Sequence, residues 1–556
     1  MTSKNEALSS RWQTHSVENV VEELVDYDLF SEDAPLRAAV ERDARAGAAA
    51  RLQAFGQQIG RTEYLHLGDV ANRHRPELAT HDAYGRRRDE VTYHPAYHQL
   101  MQTAIAHGLH ALPWSEPGAG AHAERAAFCY LHSQVEAGHG CPITMTFAAM
   151  PALRATPALS FWSQGILSRQ YDGRNIAAAH KQGLTLGMGM TEKQGGSDVR
   201  SNTTRAYPLA GGGAAYELVG HKFFLSAPMS DAFLMLAQAP GGLSCFLVPR
   251  WRDDQDKNPL ELVRLKEKMG NASNASAEVE LRGALGWLVG EEGRGIATIL
   301  EMVSLTRFDC MIGSAAGMRM AFTQAAHHAS RRSAFGRLLV QQPLMQNVLA
   351  DLALESEAAM LLGMRMARAL DGDSEEEKLL ARIGVAIGKY WICKRTPQHA
   401  YEAMECIGGT GVMESCMMPR LYREAPINAI WEGSGNVQCL DVLRAMHKSP
   451  HTLPILFAEI AQAGSQHPLL AAGVRELRQQ MEGWRGADLE FGARYCVDRL
   501  AVLLQASLML RYAPTADALA YCDSRLARSG AQMYGSLAQG TPVAAMLRRA
   551  WPRAFD

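Results

Sequence analysis

The hydrophobic positions divide the chain into three zones of different periodicity. From residue 31 to about 182, alanine- and leucine-rich apolar positions recur at helical spacing, as in residues 34–55 and 123–137. From about 183 to 294 the apolar runs become short, and Gly, Pro and Asn turns separate them. The strand-like runs are residues 216–219, 232–236, 244–248 and 277–281. Helical periodicity returns near residue 295, so the pattern predicts helices, a β module and more helices.

One boundary interrupts the last helical zone. The run Lys-Ser-Pro-His-Thr-Leu-Pro at residues 448–454 contains two prolines, which suit the end of a domain. We therefore predict four parts. They are an N-terminal arm and helical domain (1–182), a β domain (183–294), a helical bundle (295–445) and a C-terminal helical domain (446–556).

Composition narrows the class of protein without naming it. Of 556 residues, 47% are apolar and 21% are charged, an ordinary globular composition, and the net charge of −2 gives no general sign of nucleic-acid binding. The ten cysteines occur without a Cys-x-x-Cys pair or zinc spacing, which favours a reducing compartment and predicts no metal site. No apolar run is long enough to span a membrane and the start lacks a signal peptide's apolar region, so we expect a cytoplasmic protein.

The segment 430–436, Ile-Trp-Glu-Gly-Ser-Gly-Asn, holds one carboxylate in a position that suits a base. Glu432 follows two bulky apolar residues and precedes a Gly-Ser-Gly turn, where thin backbone lets a large ligand approach. Proton abstraction needs a carboxylate placed in this way. On spacing alone a solvated loop glutamate remains the alternative.

A second segment, 188–198, reads Met-Gly-Met-Thr-Glu-Lys-Gln-Gly-Gly-Ser-Asp. With its three glycines and a hydroxyl at each end, this loop could present backbone N–H groups and hydroxyls to a pyrophosphate. The spacing matches neither a P-loop nor a Rossmann fingerprint, so nucleotide sites of those kinds are not indicated.

Together these segments resemble the acyl-CoA dehydrogenase family of flavoproteins. The resemblance rests on five ordered blocks, at residues 191–198, 220–226, 332–336, 408–411, and 423–425 with 431–434. Within the family, the run Met-Thr-Glu-Lys-Gln-Gly-Gly-Ser-Asp-Val-Arg at 190–200 is similar to the AidB branch, the adaptive-response proteins induced by DNA alkylation.

The resemblance implies an α+β fold and an FAD cofactor. The layout would be an N-terminal helical domain, a central β-barrel or sandwich, a second helical bundle carrying the FAD site and oligomer core, and an extra C-terminal helical domain. The assembly would be a homotetramer, a dimer of dimers, in which Arg332 and Phe335 reach the FAD of a neighbouring subunit. The residues implied to bind FAD are Met188, Met190, Thr191, Ser197, Phe224, Ser226, Arg332, Phe335, Gly408, Gly409, Trp431, Ser434 and Asn436.

The same resemblance assigns Glu432 as the catalytic base and alters the expected substrate site. The family's second position for a base falls in residues 304–307, which read Ser-Leu-Thr-Arg and contain no carboxylate. Ser304 stands where an Asp usually helps to hold the acyl-CoA, whereas Arg307 is retained as a substrate residue. We therefore expect weak dehydrogenation, with an acyl-CoA or an alkylating small molecule as the substrate.

The C-terminal part carries a small excess of positive charge. Residues 445–556 contain twelve Lys and Arg against nine Asp and Glu. On charge alone, ordinary surface arginines are the favoured interpretation, since no DNA-binding motif is present. The AidB-type resemblance instead implies binding to double-stranded DNA, mainly through phosphates. The candidate contacts are Arg444, Arg525, Arg528, Arg548 and Arg549.

Three functions therefore stay open. The first is a DNA-associated FAD protein of the alkylation response, which protects DNA and retains weak, isovaleryl-CoA-like dehydrogenase activity. The second is a metabolic dehydrogenase for short or branched acyl-CoA esters, with no role on DNA. The third is a structural protein that holds FAD for folding and assembly.

Overall fold

The computed structural model describes residue 12 and residues 14–211, 213–252, 256–527, 537 and 540–554. The predicted DNA contact Arg528 lies outside these residues.

Helices build the N-terminal domain, as predicted, and a small hairpin interrupts them. The predicted helix at residues 34–55 is two helices, because Gly47 takes a left-handed conformation (φ +77°) between them. The helices are α1 (Ala34–Asp43), α2 (Ala48–Ile59), α3 (Thr62–Arg73), α4 (Pro95–Ala106), α5 (Leu112–Ser115), α6 (Ala121–Val135), α7 (Gly140–Arg154) and α8 (Ser160–Ile166). The antiparallel hairpin between α3 and α4 consists of β1 (Glu77–His81) and β2 (Arg87–Thr92).

The middle of the chain forms a β-barrel. Its strands are β3 (Leu186–Gly189), β4 (Arg205–Pro208), β5 (Ala215–Ser226), β6 (Ala232–Ala239), β7 (Gly242–Pro249), β8 (Leu260–Leu265) and β9 (Ser276–Val289). The pairing runs β6-β4-β5-β9-β7 and returns from β7 to β6, so the ring closes. β3 lies parallel to β6 outside this ring, and β8 pairs with β9. A closed ring leaves few unpaired strand edges.

Three long helices run up, down and up beside the barrel. They are α9 (Gly295–Arg331), α10 (Pro343–Asp371) and α11 (Glu375–Ile407). The strands β10 (Ser333–Ala334) and β11 (Arg337–Leu338) make a tight hairpin between α9 and α10. α11 begins where the Ser374 hydroxyl accepts a hydrogen bond from the Glu377 amide, and three glutamates favour the positive end of the helix dipole. Two short helices follow, α12 (Met418–Glu424) and α13 (Ile427–Ile430), and then α14 (Gly435–Lys448).

The C-terminal helices pack on this bundle. They are α15 (Thr452–Ala461), α16 (Pro468–Glu482), α17 (Gly486–Phe491), α18 (Ala493–Tyr512), α19 (Thr515–Leu526) and α20 (Val543–Ala550). α18 and α20 lie against α10, and one continuous hydrophobic core joins their buried faces to the N-terminal and second bundles. Among the described residues, no helix is long and apolar enough to cross a membrane.

Buried ion pairs fasten the C-terminal helices to α10. The Arg525 guanidinium lies 2.5 Å from the Asp351 carboxylate and 3.1 Å from that of Glu355, and both carboxylates are almost fully buried. Arg549 bridges Glu357 and Asp517 in the same way. Removing one partner of such a pair leaves a buried charge without compensation.

We predict that Arg525→Ala lowers the free energy of unfolding by about 3 kcal/mol, because Asp351 and Glu355 lose a cation that they face in the interior. Urea unfolding followed by circular dichroism measures this change. The exposed Arg485 is the matched control, and Arg485→Ala should stay within about 0.5 kcal/mol of the wild type. Equal stability of both variants would contradict the interpretation.

Candidate active site

A buried ion pair connects the Gly-rich loop to the barrel. The Lys222 Nζ on β5 lies 2.7 Å from Glu192 Oε1, and both side chains are fully buried. Lys222 also donates to the Leu236 carbonyl, while Glu192 accepts from the amides of Thr203 and Thr204. Burial alone would raise the pKa of Glu192, but the Lys222 charge and these hydrogen bonds lower it to about 2. The pair therefore fixes where the loop leaves β3.

The loop itself is a tight turn with open backbone. Glu192 and Gly195 exchange backbone hydrogen bonds of 3.2 and 3.0 Å. A Cβ on Gly196 would lie 2.4 Å from the Thr191 hydroxyl, so only glycine fits there. Ser197 follows on the exposed side, and a Cβ on Gly195 would meet no atom within 4 Å. The loop can therefore approach a ligand closely.

The barrel positions the residues predicted for the flavin ring on neighbouring segments. Met188 is buried in β3, and Met190 and Thr191 follow directly. The Phe223 amide donates to the Thr191 carbonyl at 2.8 Å, which brings the end of β5 beside the loop. Phe224 is 42% exposed, and Ser226 lies at the end of the strand. The structure thus brings Thr191, Phe224 and Ser226 together on one side of the barrel.

Glu432 occupies a strained turn that three side chains hold in place. Its φ of +55° lies in the left-handed region, which costs a non-glycine residue roughly 1 kcal/mol. Lys389 donates to the carbonyls of Trp431 and Gly433, at 2.6 and 2.5 Å. Arg307 donates to the Glu432 carbonyl at 3.0 Å, and Gln438 to the carbonyls of Glu432 and Gly433. Strain held in this way is typical of functional sites.

The Glu432 carboxylate meets a hydroxyl from the long helix α9. Thr306 Oγ1 donates to Glu432 Oε2 at 2.8 Å. Arg307, predicted to touch the substrate, uses its guanidinium on the Glu432 carbonyl and on Asp441, 2.7 Å away. Burial would raise the pKa of Asp441, but hydrogen bonds from Arg382 and the Arg307 charge lower it. Arg307 therefore positions the Glu432 turn.

A cavity lies beside this turn. Trp431 and Thr306 line it, and so do several polar groups from other elements. These polar groups are Ser133, His139, Asn271, Ser314, Glu424 and Asn428. Burial, and then the charge of Glu136, raise the pKa of Glu424 to about 7. An acyl group in this cavity would contact polar atoms as well as apolar ones.

Arg332, Phe335, Gly408 and Gly409 lie far from Glu432 in the same chain. α9 rises 1.5 Å per residue, so Arg332 is roughly 40 Å along the helix from Thr306. Phe335 and Gly336 form the two-residue turn of the hairpin at φ +53° and +77°, and Phe335 is 98% exposed. Gly408 and Gly409 are exposed after α11, where a Cβ on either would meet no atom within 4 Å.

Ser434 and Asn436 lie where α14 begins. Ser434 is the N-cap residue and is exposed, as is Asn436. Asn436 Oδ1 accepts a 2.7 Å hydrogen bond from Arg494 of α18. A C-terminal helix therefore reaches the edge of the predicted cofactor site, a contact that the sequence motifs did not indicate.

The structure corrects two of the predicted DNA contacts. Arg525 and Arg549 direct their guanidiniums into the protein, to buried carboxylates of α10 and α19. Groups engaged in this way are not available to phosphates. Arg444 and Arg548 are exposed.

Comparisons with known proteins agree with this geometry. The chain is 47% identical to AidB of Escherichia coli (strain K12) over 523 residues, which are 93% of this chain and 96% of that protein. Family models match the acyl-CoA dehydrogenase middle domain at residues 187–284 and the C-terminal domain at 293–447. The chain belongs to the acyl-CoA dehydrogenase family. A model of the adaptive response protein AidB N-terminal domain matches residues 19–173, which confirms the AidB branch.

Other relatives extend the likeness. Acyl-CoA dehydrogenase family member 11 of Caenorhabditis elegans is 31% identical, with 71% of this chain and 66% of that protein covered. The solved structure of Caenorhabditis elegans ACDH-11 in complex with C11-CoA superimposes with a TM-score of 0.83 at 25% identity, covering 99% of this chain and 95% of that one. This match spans the barrel and all helical parts, so the predicted α+β layout is confirmed.

Members of this family are FAD-dependent oxidoreductases, and the residues of this chain fit the cofactor. Thr191 and Ser226 supply hydroxyl groups, half-exposed Phe224 supplies an aromatic face, and the glycines leave the backbone open. FAD is the cofactor of this enzyme. Among the described residues, no group of three or more His, Cys, Asp or Glu side chains could hold a metal ion.

Five contributors to the site were not predicted from the sequence. They are Glu192, Lys222, Thr306, Lys389 and Gln438. All but Lys389 lie inside or beside the quoted motifs, so the motifs marked their position without indicating their partners. Lys389 lies in the middle of α11, where only the fold places it under the Glu432 turn.

We predict that Glu192 makes stability sensitive to acid. Its pKa of about 2 in the folded state is below its ordinary value of 4.5, so its contribution is complete above pH 4.5 and is lost as pH falls towards 2. Thermal melting at a series of pH values measures this. Glu192→Gln should lower the melting temperature at pH 7 and flatten its fall between pH 4.5 and 2. The exposed Glu482 is the control, since Glu482→Gln should keep the wild-type profile.

Proposed function

We propose that Glu432 is the base of a weak acyl-CoA dehydrogenase reaction. The observation that supports this proposal is the Glu432 carboxylate, held by Thr306 in a strained turn beside the cavity. A base needs a fixed position relative to the carbon from which it takes a proton. Lys389, Arg307 and Gln438 all donate to carbonyls of this half-buried turn, so they give the carboxylate such a fixed position.

In this reaction the residues of the chain hold the thioester and move one proton. Glu432 takes the proton from the carbon next to the thioester carbonyl, and Thr306 keeps the carboxylate oriented while it does so. The FAD supplies the acceptor for the hydride that leaves the neighbouring carbon. Arg307 and Lys389 donate hydrogen bonds to backbone carbonyls of the turn, so they preserve its geometry.

Three features support weak activity towards ordinary acyl-CoA esters. Ser304 replaces the Asp expected from the family resemblance, and the Arg307 guanidinium is already engaged with Asp441. The cavity also places Glu424 and Asn428 where an alkyl chain would lie, and burying polar groups against hydrocarbon is unfavourable.

We predict that Glu432→Gln slows anaerobic bleaching of the FAD by acyl-CoA esters by about a hundredfold or more, because it removes the base and keeps the shape. Stopped-flow absorbance over a panel including isovaleryl-CoA measures the rate. Glu482→Gln serves as the matched exposed control. An unchanged rate in Glu432→Gln would contradict its role, and fast bleaching in the wild type would favour the alternative, a metabolic enzyme for short or branched acyl-CoA esters.

We further propose that the C-terminal helices bind double-stranded DNA through its phosphates, within a response to DNA alkylation that protects DNA. Kinship with AidB motivates this role. Exposed basic side chains in this part of the chain support the proposal. Arg525 and Arg549 are not among them, because both pair with buried carboxylates. Exposed in the C-terminal part are Arg475, Arg478, Arg485, Arg494 and Arg548, and Arg444 and Lys448 are exposed on the preceding helix α14.

We predict that Arg444→Gln and Arg475→Gln each weaken DNA binding about equally for all duplex sequences. Each substitution leaves one phosphate without its cation, so it should reduce the slope of log affinity against log salt by about 0.9. Fluorescence anisotropy with the full chain at several salt concentrations measures this slope. A truncation at the domain boundary would expose the apolar faces of α10 and α11 on which the C-terminal helices pack. Single substitutions keep these faces covered and are therefore preferable. Lys378→Gln, on the exposed start of α11, is the control, and an equal effect there would argue against a local DNA surface.

We also propose assembly into a homotetramer, and the distance along α9 supports the contact with a second copy that this assembly requires. Arg332 and Phe335 lie about 40 Å from Thr306 along one helix, too far to serve the flavin of their own chain. Phe335 nevertheless points outward from its hairpin, 98% exposed, as a residue does that contacts a second copy. In the proposed assembly this side chain reaches the FAD of the neighbouring subunit.

A further inference from the structure

A lysine behind the predicted flavin site is surrounded by neutral oxygens. Lys268 lies in the loop between β8 and β9 and directs its amino group inward. It donates to Asn271 Oδ1 at 3.2 Å, to the Asn274 carbonyl at 2.7 Å and to Ser276 Oγ at 2.8 Å. Within the part of the chain that the structure describes, no carboxylate forms an ion pair with it. A largely buried cation without a paired anion is expensive, so it is a candidate for function.

The three acceptors use all three protons of the ammonium group. Lysine has three donors and no acceptor, so the hydrogen-bond pattern around it has a fixed direction. Ser276 Oγ accepts one proton and lies 2.9 Å from Ser226 Oγ. If Ser276 passes its own hydrogen to Ser226, the Ser226 hydroxyl keeps its hydrogen for another acceptor, which is the neighbouring Cys141 sulfur or a ligand atom at the flavin site. Ser226 is the residue expected at the polar edge of the flavin ring.

We propose that Lys268 acts through Ser276 and Ser226 to stabilise negative charge on the reduced flavin. This inference rests on the proposed placement of Ser226 at the ring. A cationic donor strengthens each hydrogen bond that follows it, and low local polarity increases its effect. Lys268 is therefore a positioning residue that raises the reduction potential of the bound FAD.

The charged groups around Lys268 agree with this role. Burial lowers its pKa to about 8, and the nearby groups are Cys141, Glu424, Arg75 and Glu136. The carboxylates of Glu424 and Glu136 counter the burial, while Arg75 adds to it. The Glu136 carboxylate is hydrogen-bonded to His139, Asn72 and Ser273, and the Glu424 carboxylate accepts a hydrogen bond from the Asn271 amide. At neutral pH the ammonium charge thus persists and its hydrogen bonds run towards Ser226.

The test compares the reduction potential of bound FAD in the full-length protein. Each variant is reduced together with a reference dye at pH 7, and the ratio of reduced to oxidised flavin is read from absorbance. Lys268→Met should lower this ratio about tenfold at a given dye potential, which is about 30 mV for a two-electron couple. Ser276→Ala keeps the charge but breaks the link, so it should lower the ratio by a smaller factor. Lys378→Met removes an exposed lysine of α11 and should match the wild type.

Either variant can overturn the proposal on its own. A folded, FAD-loaded Lys268→Met with the wild-type ratio would show that the charge does not reach the flavin. If Lys268→Met does not fold, Ser276→Ala decides, and a wild-type ratio there would show that the serines carry no effect. A wild type whose FAD no acyl-CoA ester bleaches would instead count against the proposed activity, without changing this ratio, so the two failures are distinguishable.

Discussion

The buried contact between Glu192 and Lys222 is the interaction on which the site depends. It joins the loop after β3 to the middle of β5, and neither residue has access to water. Because an unpaired charge there would be costly, the loop and the strand are fixed relative to each other. Thr191 precedes the glutamate by one residue and Ser226 follows the lysine by four, so one ion pair orients both hydroxyls expected at the flavin. The barrel supplies the frame, and the pair sets the register of the site within it.

On the helical side of the site, hydrogen bonds to backbone carbonyls fix the position of the Glu432 turn. The turn at Glu432 contains a non-glycine residue at positive φ, and three side chains from α9, α11 and α14 donate to its carbonyls. Neighbouring hydrogen bonds of this kind offset local strain, because they break together if the turn relaxes. The carboxylate that we propose as the base is therefore positioned by side chains that donate to the backbone around it. Its remaining partner, Thr306, comes from the helix that also lines the cavity.

The order of the helical and β parts was predictable from the sequence, because motifs and periodicity are local properties, whereas the site residues taken from the motifs stay predictions. Four strand-like runs fall within β5, β6, β7 and β9, and Glu432 lies at a turn as expected. The runs of β3, β4 and β8 were missed, since four to six residues give little alternation to read. Charge partners were not predictable either. Arg525 and Asp351 are 174 residues apart, so a count of arginines suggested a DNA surface where the fold has made an internal ion pair.

The two groups of residues predicted for the cofactor site lie at opposite ends of the same long helices, and this limits how one chain could bind FAD. Thr306 and Glu432 lie near the barrel, whereas Phe335 and Gly408 lie at the far end of α9 and α11. A single chain cannot bring them together without breaking helices whose buried faces form the core. In the assembly that we propose, a second copy supplies the missing half, so cofactor binding and subunit association stabilise each other. Arg494 of α18 connects the C-terminal helices to Asn436, at the edge of the FAD site that we propose. A ligand bound to those helices and the FAD would therefore share this contact.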